Sequence, residues 1–175
     1  MKSVIILGDD KERLLGKTVI KACESYGGAL VHEKGRVYRT VREPVFEVVD
    51  AVSGECNDMR AVLVSGSSYR GELSSGCFTV IADSGSSRLS QLLMGAECPV
   101  IGCSSSDRDT LSLSCRSRGR MLIALRRSIL TLTGEIIEPC EIIVYTNEEL
   151  PLFPVLAACG VLLLCGVPYG DGLRL

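Results

Sequence analysis

Short apolar runs alternate with amphipathic segments through the first hundred residues of the chain. The run at residues 4–7 is continuous and ends at Gly8, which is typical of a buried parallel strand. Asp9 or Asp10 is expected to cap a helix behind it, and the glycines at 27–28 are expected to end that helix. The predicted buried face of this helix is formed by apolar and small side chains at helical spacing: Leu14, Leu15, Thr18, Val19, Ala22 and Cys23.

The same alternation continues to about residue 101. Further strands are predicted by short apolar runs at residues 29–32, 61–64, 78–82 and 100–101. A helix is predicted over 43–54, where valines recur every three or four residues, Pro44 suits a first turn and Gly54 a stop. A short helix is predicted around Leu89, Leu92 and Leu93. Alternating strands and helices indicate a parallel α/β layer.

After Cys103 the pattern changes to strands without intervening helices. Strands are predicted at 110–115, 120–125 and 141–145, and 128–138 is expected to form two strands that turn at Thr133 and Gly134. The apolar run at 154–167 predicts a closing core helix. We therefore expect one α/β domain over 1–175, a mostly parallel three-layer sandwich with an antiparallel C-terminal extension.

Composition and charge exclude several classes of partner. Hydrophobic residues make up 46% of the 175 positions and charged residues 23%, as in a globular protein. A net charge of -2, 5% aromatics and no Trp argue against nucleic acid as a partner. The run at 154–167 is shorter than the ~20 residues needed to cross a bilayer, so no membrane association is expected.

Nine cysteines are scattered along the chain, mostly in apolar segments. They form no CxxC pair, and His32 is the single histidine, so a zinc site is not predicted. No signal peptide is expected at the start of the chain. We interpret the cysteines as buried, reduced thiols in a cytoplasmic protein.

Gly16, Lys17 and Thr18 spell the end of a phosphate-binding loop. In such a loop, glycine-rich backbone turns its N–H groups toward the anion at a helix N-terminus. Here Gly16 is expected two turns inside a helix, and the charges of Asp9 and Asp10 would repel a phosphate. We favour an ordinary helix; the alternative is a distorted loop in which Lys17 meets a phosphate and Thr18 a magnesium ion.

Four segments carry a resemblance to a known family: FTVIADSGSSRLSQLL, CPVIGCSSSDRDTLSLS, TLTGEIIE and LPLFPVLAACGVLLLCGVP. They and the order of the predicted elements resemble the central, ATP-binding domain of the Mur ligases. The first is similar to a strand ending in Asn-Ala-Asp-Asp, and the last to the Ala-rich helix that closes the domain. About 100 residues match well and the first 75 loosely.

The resemblance implies a P-loop-like nucleotide site with ATP and magnesium as cofactors. Gly16, Lys17 and Thr18 would then hold the triphosphate and its metal, with Asp83 near the nucleoside. The sequence departs from the family pattern at several positions. Arg13 stands where the loop has a glycine, and Val19 replaces a second threonine. Ser65 or Gly66 takes the place of a magnesium-binding glutamate, His-Asn at the closing helix becomes Phe153 and Pro154, and we expect no amino-acid-binding C-terminal domain.

Other candidate sites follow the predicted strands. The serine-rich segments at 65–76 and 103–107 are candidates for anion binding, although such loops are usually solvated turns. One early histidine makes a Ser-His-Asp triad a poor hypothesis. Three further candidates are a carboxylate cluster of Asp83, Asp107 and Asp109, a reactive thiol at Cys103, and an anion patch of Arg118, Arg120, Arg126 and Arg127.

Three hypotheses about function follow. The preferred one is a degenerate Mur-ligase-like domain without catalytic residues or a metal, acting as a binding or assembly module with a protein partner or as a homo-oligomer. The second is an active ATP-binding subunit of a Mur-type ligase. The third is an enzyme of unrelated chemistry at the carboxyl ends of the strands, around Gly8, residues 65–68 and Cys103.

Overall fold

Apolar runs and amphipathic segments become strands and helices in a computed structural model that describes residues 1–7, 13–33, 36–40, 43–51, 61–66, 78–86 and 98–175. The elements within these ranges are β1 (Lys2–Leu7), α1 (Arg13–Tyr26), β2 (Ala29–Glu33), β3 (Arg36–Arg39), β4 (Phe46–Ala51), β5 (Ala61–Ser65), β6 (Phe78–Asp83), β7 (Val100–Ser104), β8 (Leu111–Ser117), β9 (Arg120–Leu125), β10 (Ile129–Leu130), β11 (Ile136–Ile137), β12 (Cys140–Tyr145), α2 (Leu152–Leu164) and β13 (Leu173–Arg174). The predicted helix at Leu89–Leu93 and the capping residues Asp9 and Asp10 lie outside these ranges.

One mixed sheet of eleven strands organises the described residues, in the order β13-β12-β9-β8-β7-β6-β5-β1-β4-β2-β3. Parallel pairing joins β2, β4, β1, β5, β6, β7 and β8 across the centre. Antiparallel pairing joins β8 to β9 and β9 to β12, which confirms the predicted C-terminal extension. The sheet is therefore mostly parallel, as the sequence indicated.

The helix predicted over 43–54 is wrong, because this segment contains β4. Phe46 and Val48 are buried, and β4 lies between β1 and β2 with parallel pairing on both sides. The spacing of the valines fits the helical period, but β-branched side chains favour a pleated, buried strand over a helix. Two flanking strands satisfy its backbone groups, and this decides in favour of the strand.

The two described helices pack on one face of the sheet and share a core with it. Leu15, Val19, Ala22 and Cys23 of α1 are buried in this core, as predicted. Leu14 was also predicted on this buried face, but its side chain is 43% exposed. Helix α2 is apolar on all sides, and its residues from 154 to 164 are all buried.

A second apolar cluster lies on the opposite face of the sheet. Side chains alternate along a strand, so Val4 and Ile6 face the helices while Ile5 and Leu7 belong to the second cluster. Both faces of the central strands are therefore apolar, which explains the continuous runs in the sequence.

The C-terminal part also contains a small hairpin of β10 and β11. Gly134 has a φ of +88° between these strands, at the turn that the sequence predicted. Neither α1 nor α2, the helices of the described ranges, is long and apolar enough to cross a membrane.

Candidate functional site

The carboxyl ends of the central parallel strands form the candidate site. Strands β1, β5, β6 and β7 end at Leu7, Ser65, Asp83 and Ser104 along one edge of the sheet. In open α/β sheets ligands bind outside these ends, next to the loops that follow the strands. The sequence-predicted candidates Gly16, Lys17, Thr18, Asp83, Cys103 and Asp109 follow or end these strands.

Gly16, Lys17 and Thr18 belong to helix α1. The described part of this helix begins at Arg13, and the predicted start at Asp9 or Asp10 lies outside the described residues, so the depth of Gly16 within the helix stays a prediction. From Lys17 onward the amide groups have helical partners four residues back. A Cβ at Gly16 would meet only Ile6 Cδ1, at 3.9 Å, so no close contact requires a glycine here.

The Thr18 hydroxyl forms a hydrogen bond within helix α1. Thr18 is buried, and its Oγ1 donates a hydrogen bond to the carbonyl oxygen of Leu14 at 2.7 Å. A threonine that held a metal ion would direct this oxygen toward the ligand instead. Lys17 is exposed on the outer side of the helix.

Asp109, Ser104 and Ser84 meet beside Gly102. Ser104 Oγ donates a hydrogen bond to Asp109 Oδ2 and accepts one from the Ser106 amide at 2.9 Å. A Cβ on Gly102 would lie 2.5 Å from Ser84 Oγ and 2.8 Å from Asp109 Oδ1, so a larger residue here would force these two side chains to shift. Asp107 is exposed on the turn.

Asp83 is held by its own turn. Its Oδ1 accepts a hydrogen bond from the Gly85 amide at 3.0 Å, and the Ser84 amide donates to the Cys103 carbonyl at 3.1 Å. These contacts fix the end of β6 against β7. Strand β6 lies two strand spacings, about 10 Å, from β1, which leads toward helix α1. Within the described ranges, no three His, Cys, Asp or Glu side chains are grouped as metal ligands.

Cys103 is fully buried and poorly suited to act as a nucleophile. Burial raises the pKa of its thiol well above the ordinary value of 9.0, and Cys159, Asp109 and Asp83 raise that pKa further. The thiolate, which is the reactive form, is therefore strongly disfavoured. The seven cysteines in the described ranges are free thiols, and Cys23, Cys103, Cys159 and Cys165 among them are buried.

The remaining candidates do not converge on this site. His32 is in β2, five strand spacings or about 24 Å from β7, and its Nε2 lies 3.2 Å from Glu47 Oε1. Ser65 and Gly66 are the described part of the serine-rich segment at 65–76; the Ser65 hydroxyl is buried and contacts the Gly66 carbonyl at 3.5 Å.

The four arginines are divided between the two ends of β9, about 20 Å apart. Arg118 and Arg120 lie at the β8–β9 turn. Arg118 lines an open groove of about 770 Å³ together with Glu148 and Glu149. Arg126 donates to Ser112 Oγ at 3.1 Å, and Arg127 to the Arg108 carbonyl at 2.8 Å. The four arginines therefore do not form one anion patch.

The sequence analysis included Ser104 in the candidate anion-binding segment at 103–107, but it did not predict that Ser84 and Ser104 would lie near each other. The signal available was a run of serines at the end of each of two neighbouring strands, SGSS following β6 and SSSD beginning at the last residue of β7. Only the parallel pairing of β6 with β7 brings the two segments together.

Comparison with known proteins supports the fold. No protein-family model and no curated protein matches the chain. Among solved structures, the fold is similar to that of a UDP-N-acetylmuramoyl-L-alanyl-D-glutamate–2,6-diaminopimelate ligase, a Mur ligase, with a TM-score of 0.58 and 10% identity. The match covers 95% of this chain and 43% of that ligase, so the chain spans less than half of its length. The predicted resemblance is thus confirmed for the fold.

Proposed function

We propose that this Mur-ligase-like fold serves as a binding or assembly module that does not use ATP. The observation that carries this proposal is the Thr18 hydroxyl, which is buried and bonded to the Leu14 carbonyl. In the family pattern the threonine after the lysine meets the magnesium ion, whereas this hydroxyl is directed into the helix. A metal would have to compete with a contact already made inside the core.

Two features of the sequence agree with this proposal. Arg13 replaces a loop glycine, and its side chain and Cβ restrict the backbone freedom that a phosphate cradle requires. Asp9 and Asp10 place negative charge in the segment between β1 and α1, where a triphosphate would have to lie. Arg13 removes the flexible glycine of the loop, and the two aspartates repel the anion.

The test is thermal unfolding with and without 1 mM Mg-ATP. A ligand that binds only the native state stabilises it by RT ln(1 + [L]/Kd), so a site with a Kd of about 0.1 mM contributes about 1.4 kcal/mol. For a chain of this size that corresponds to a rise in Tm of about 3–6 °C. We expect a shift below about 1 °C, because the motif is part of a closed helix.

Three variants make the result specific. Lys17→Ala removes the candidate phosphate contact, and Thr18→Val removes the hydroxyl while keeping the shape of the side chain. Lys21→Ala is the matched control, an exposed lysine one turn further along α1. A rise in Tm with Mg-ATP that Lys17→Ala and Thr18→Val abolish and Lys21→Ala keeps would contradict the proposal and favour an ATP-binding subunit.

A further inference from the structure

Strand β3 presents an open edge at the end of the eleven-stranded sheet. It pairs with β2 on one side, and within the described ranges no strand lies on its other side. Its four side chains are exposed, including Val37 at 60% and Tyr38 at 44%. Proteins usually shorten, cover or charge such an edge, because its free N–H and C=O groups pair readily with another strand.

The register of β3 identifies the backbone groups that face outward. The Thr40 amide donates to the Ala29 carbonyl at 3.0 Å, so Ala29 and Thr40 form a hydrogen-bonded pair. Hydrogen-bonded and non-hydrogen-bonded pairs alternate along an antiparallel ladder, so the next hydrogen-bonded pair is Val31 and Tyr38. The N–H and C=O groups of Val37 and Arg39 therefore point away from β2, toward the open edge.

The charge of this edge differs from that of the whole chain. Residues 33–43, EKGRVYRTVRE, contain four basic and two acidic residues, a net charge of +2, whereas the whole chain carries a net charge of -2. Arg36 and Arg39 are the ends of β3, on either side of its exposed apolar pair. Arg39 Nη2 lies 3.0 Å from Glu43 Oε1, an exposed ion pair of the kind that contributes little to stability.

From these observations we infer that the β3 edge binds an extended acidic segment of a partner protein as an added antiparallel strand. Backbone hydrogen bonds to Val37 and Arg39 supply the pairing, as in other cases of strand addition. Acidic side chains opposite Arg36 and Arg39, with apolar ones opposite Val37 and Tyr38, give the partner pattern acidic–apolar–apolar–acidic.

Charge favours this partner over a second copy of the chain. Two copies paired antiparallel at β3 would set Arg36 and Arg39 of one copy against those of the other, and like charges on paired strands are destabilising. An acidic extended segment is thus the partner class that we infer for the proposed binding module, and this inference rests on that proposed function. Its test is independent, because β3 and helix α1 are separate elements and peptide binding does not report on ATP.

The probe is a fluorescein-labelled peptide, SEVVES, with blocked ends, titrated by anisotropy at low salt. SVEEVS has the same composition in another order, and SKVVKS reverses the charge. Val37→Pro removes an outward N–H while leaving the bonds between β2 and β3, since proline is tolerated on the open side of edge strands. Val37→Thr is the matched control, with the N–H and side-chain shape kept.

We expect saturable binding of SEVVES that weakens with added salt, and much weaker binding of both other peptides. Val37→Pro and the double variant Arg36→Ala, Arg39→Ala should each lower the affinity at least about tenfold, and Val37→Thr less than about threefold. Amide exchange of Val37 and Arg39 should slow when the peptide binds, while that of Tyr38 is protected in both states.

Several results would overturn the inference: no saturation up to about 1 mM peptide, equal binding of SVEEVS, or unchanged affinity in Val37→Pro. If Val37→Pro fails to fold, the arginine variant and the amide exchange decide. Self-association that Val37→Pro abolishes would assign the edge to a second copy and refute an acidic partner. A rise in Tm with Mg-ATP together with SEVVES binding would refute the proposed function and keep this inference.

Discussion

Alkaline pH should unfold this protein through its buried thiols. Burial is the largest cause that raises the pKa of Cys23, Cys103, Cys159 and Cys165, and the pKa of Cys159 and of Cys165 reaches about 12. In the unfolded chain the same thiols ionise near 9.0. Between these two values the native state keeps protons that the unfolded state releases.

The sign follows from this difference in bound protons. Stability is fully present below pH 9 and falls as the pH rises toward 12, because ionisation favours the unfolded state. At pH 10 a thiol with an unfolded pKa of 9.0 contributes RT ln 11, about 1.4 kcal/mol, in favour of unfolding. Four such thiols amount to about 6 kcal/mol, which is comparable with the whole stability of a typical domain.

The assay is urea unfolding at pH 8, 9 and 10 with a reductant that is not itself a thiol. Cys159→Ala should lose about 1.4 kcal/mol less than the wild type between pH 8 and pH 10. The comparison uses the change with pH, since the cavity left by the substitution lowers stability at every pH. Cys115→Ala, at an exposed thiol, should follow the wild type.

Equal slopes for Cys159→Ala and the wild type would refute the reasoning, because ionisation would then not be coupled to burial at this position. Rapid labelling of Cys103 by a thiol reagent in the native state would refute it at the candidate site. In that case an enzyme that uses Cys103 would again be a reasonable hypothesis.

Two further substitutions test the packing. Gly172→Ala should lower stability more than Gly134→Ala in urea unfolding. Both glycines have a positive φ, +82° and +88°, but only a Cβ at Gly172 would meet other atoms, among them the Ile143 carbonyl oxygen at 3.0 Å. Equal losses of stability in the two variants would contradict this contact. Leu156→Ala, at a fully buried position in α2, should cost about 2–5 kcal/mol in the same assay, and a loss below about 1 kcal/mol would mean that the core collapses around the gap.

Strong local patterns were predictable because each depends on neighbours in the sequence. Residues 120–125 form β9 as predicted, and the turn at Gly134 follows from a residue that tolerates positive φ. The buried face of α1 follows from its 3.6-residue period, with the exception of Leu14.

The candidate site was predictable only in part. The sequence placed Asp83, Cys103 and Asp109 near strand ends, and parallel strands end at one edge of a sheet. It did not show that Ser84 and Asp109 meet over Gly102, or that the Thr18 hydroxyl bonds the Leu14 carbonyl. Such contacts form only when segments far apart in the sequence are positioned to within a few tenths of an ångström.

The sequence by itself determined a mostly parallel α/β layer with an antiparallel extension, since periodicity and turn residues act locally. Tertiary structure alone decided that residues 46–51 form a strand, because β1 and β2 supply backbone partners on both sides. It also decided the edge strands β3 and β13, which were not predicted and whose short segments become strands only by pairing with β2 and β12. Hydrogen bonds between strands are long-range in sequence, so no local pattern specifies them.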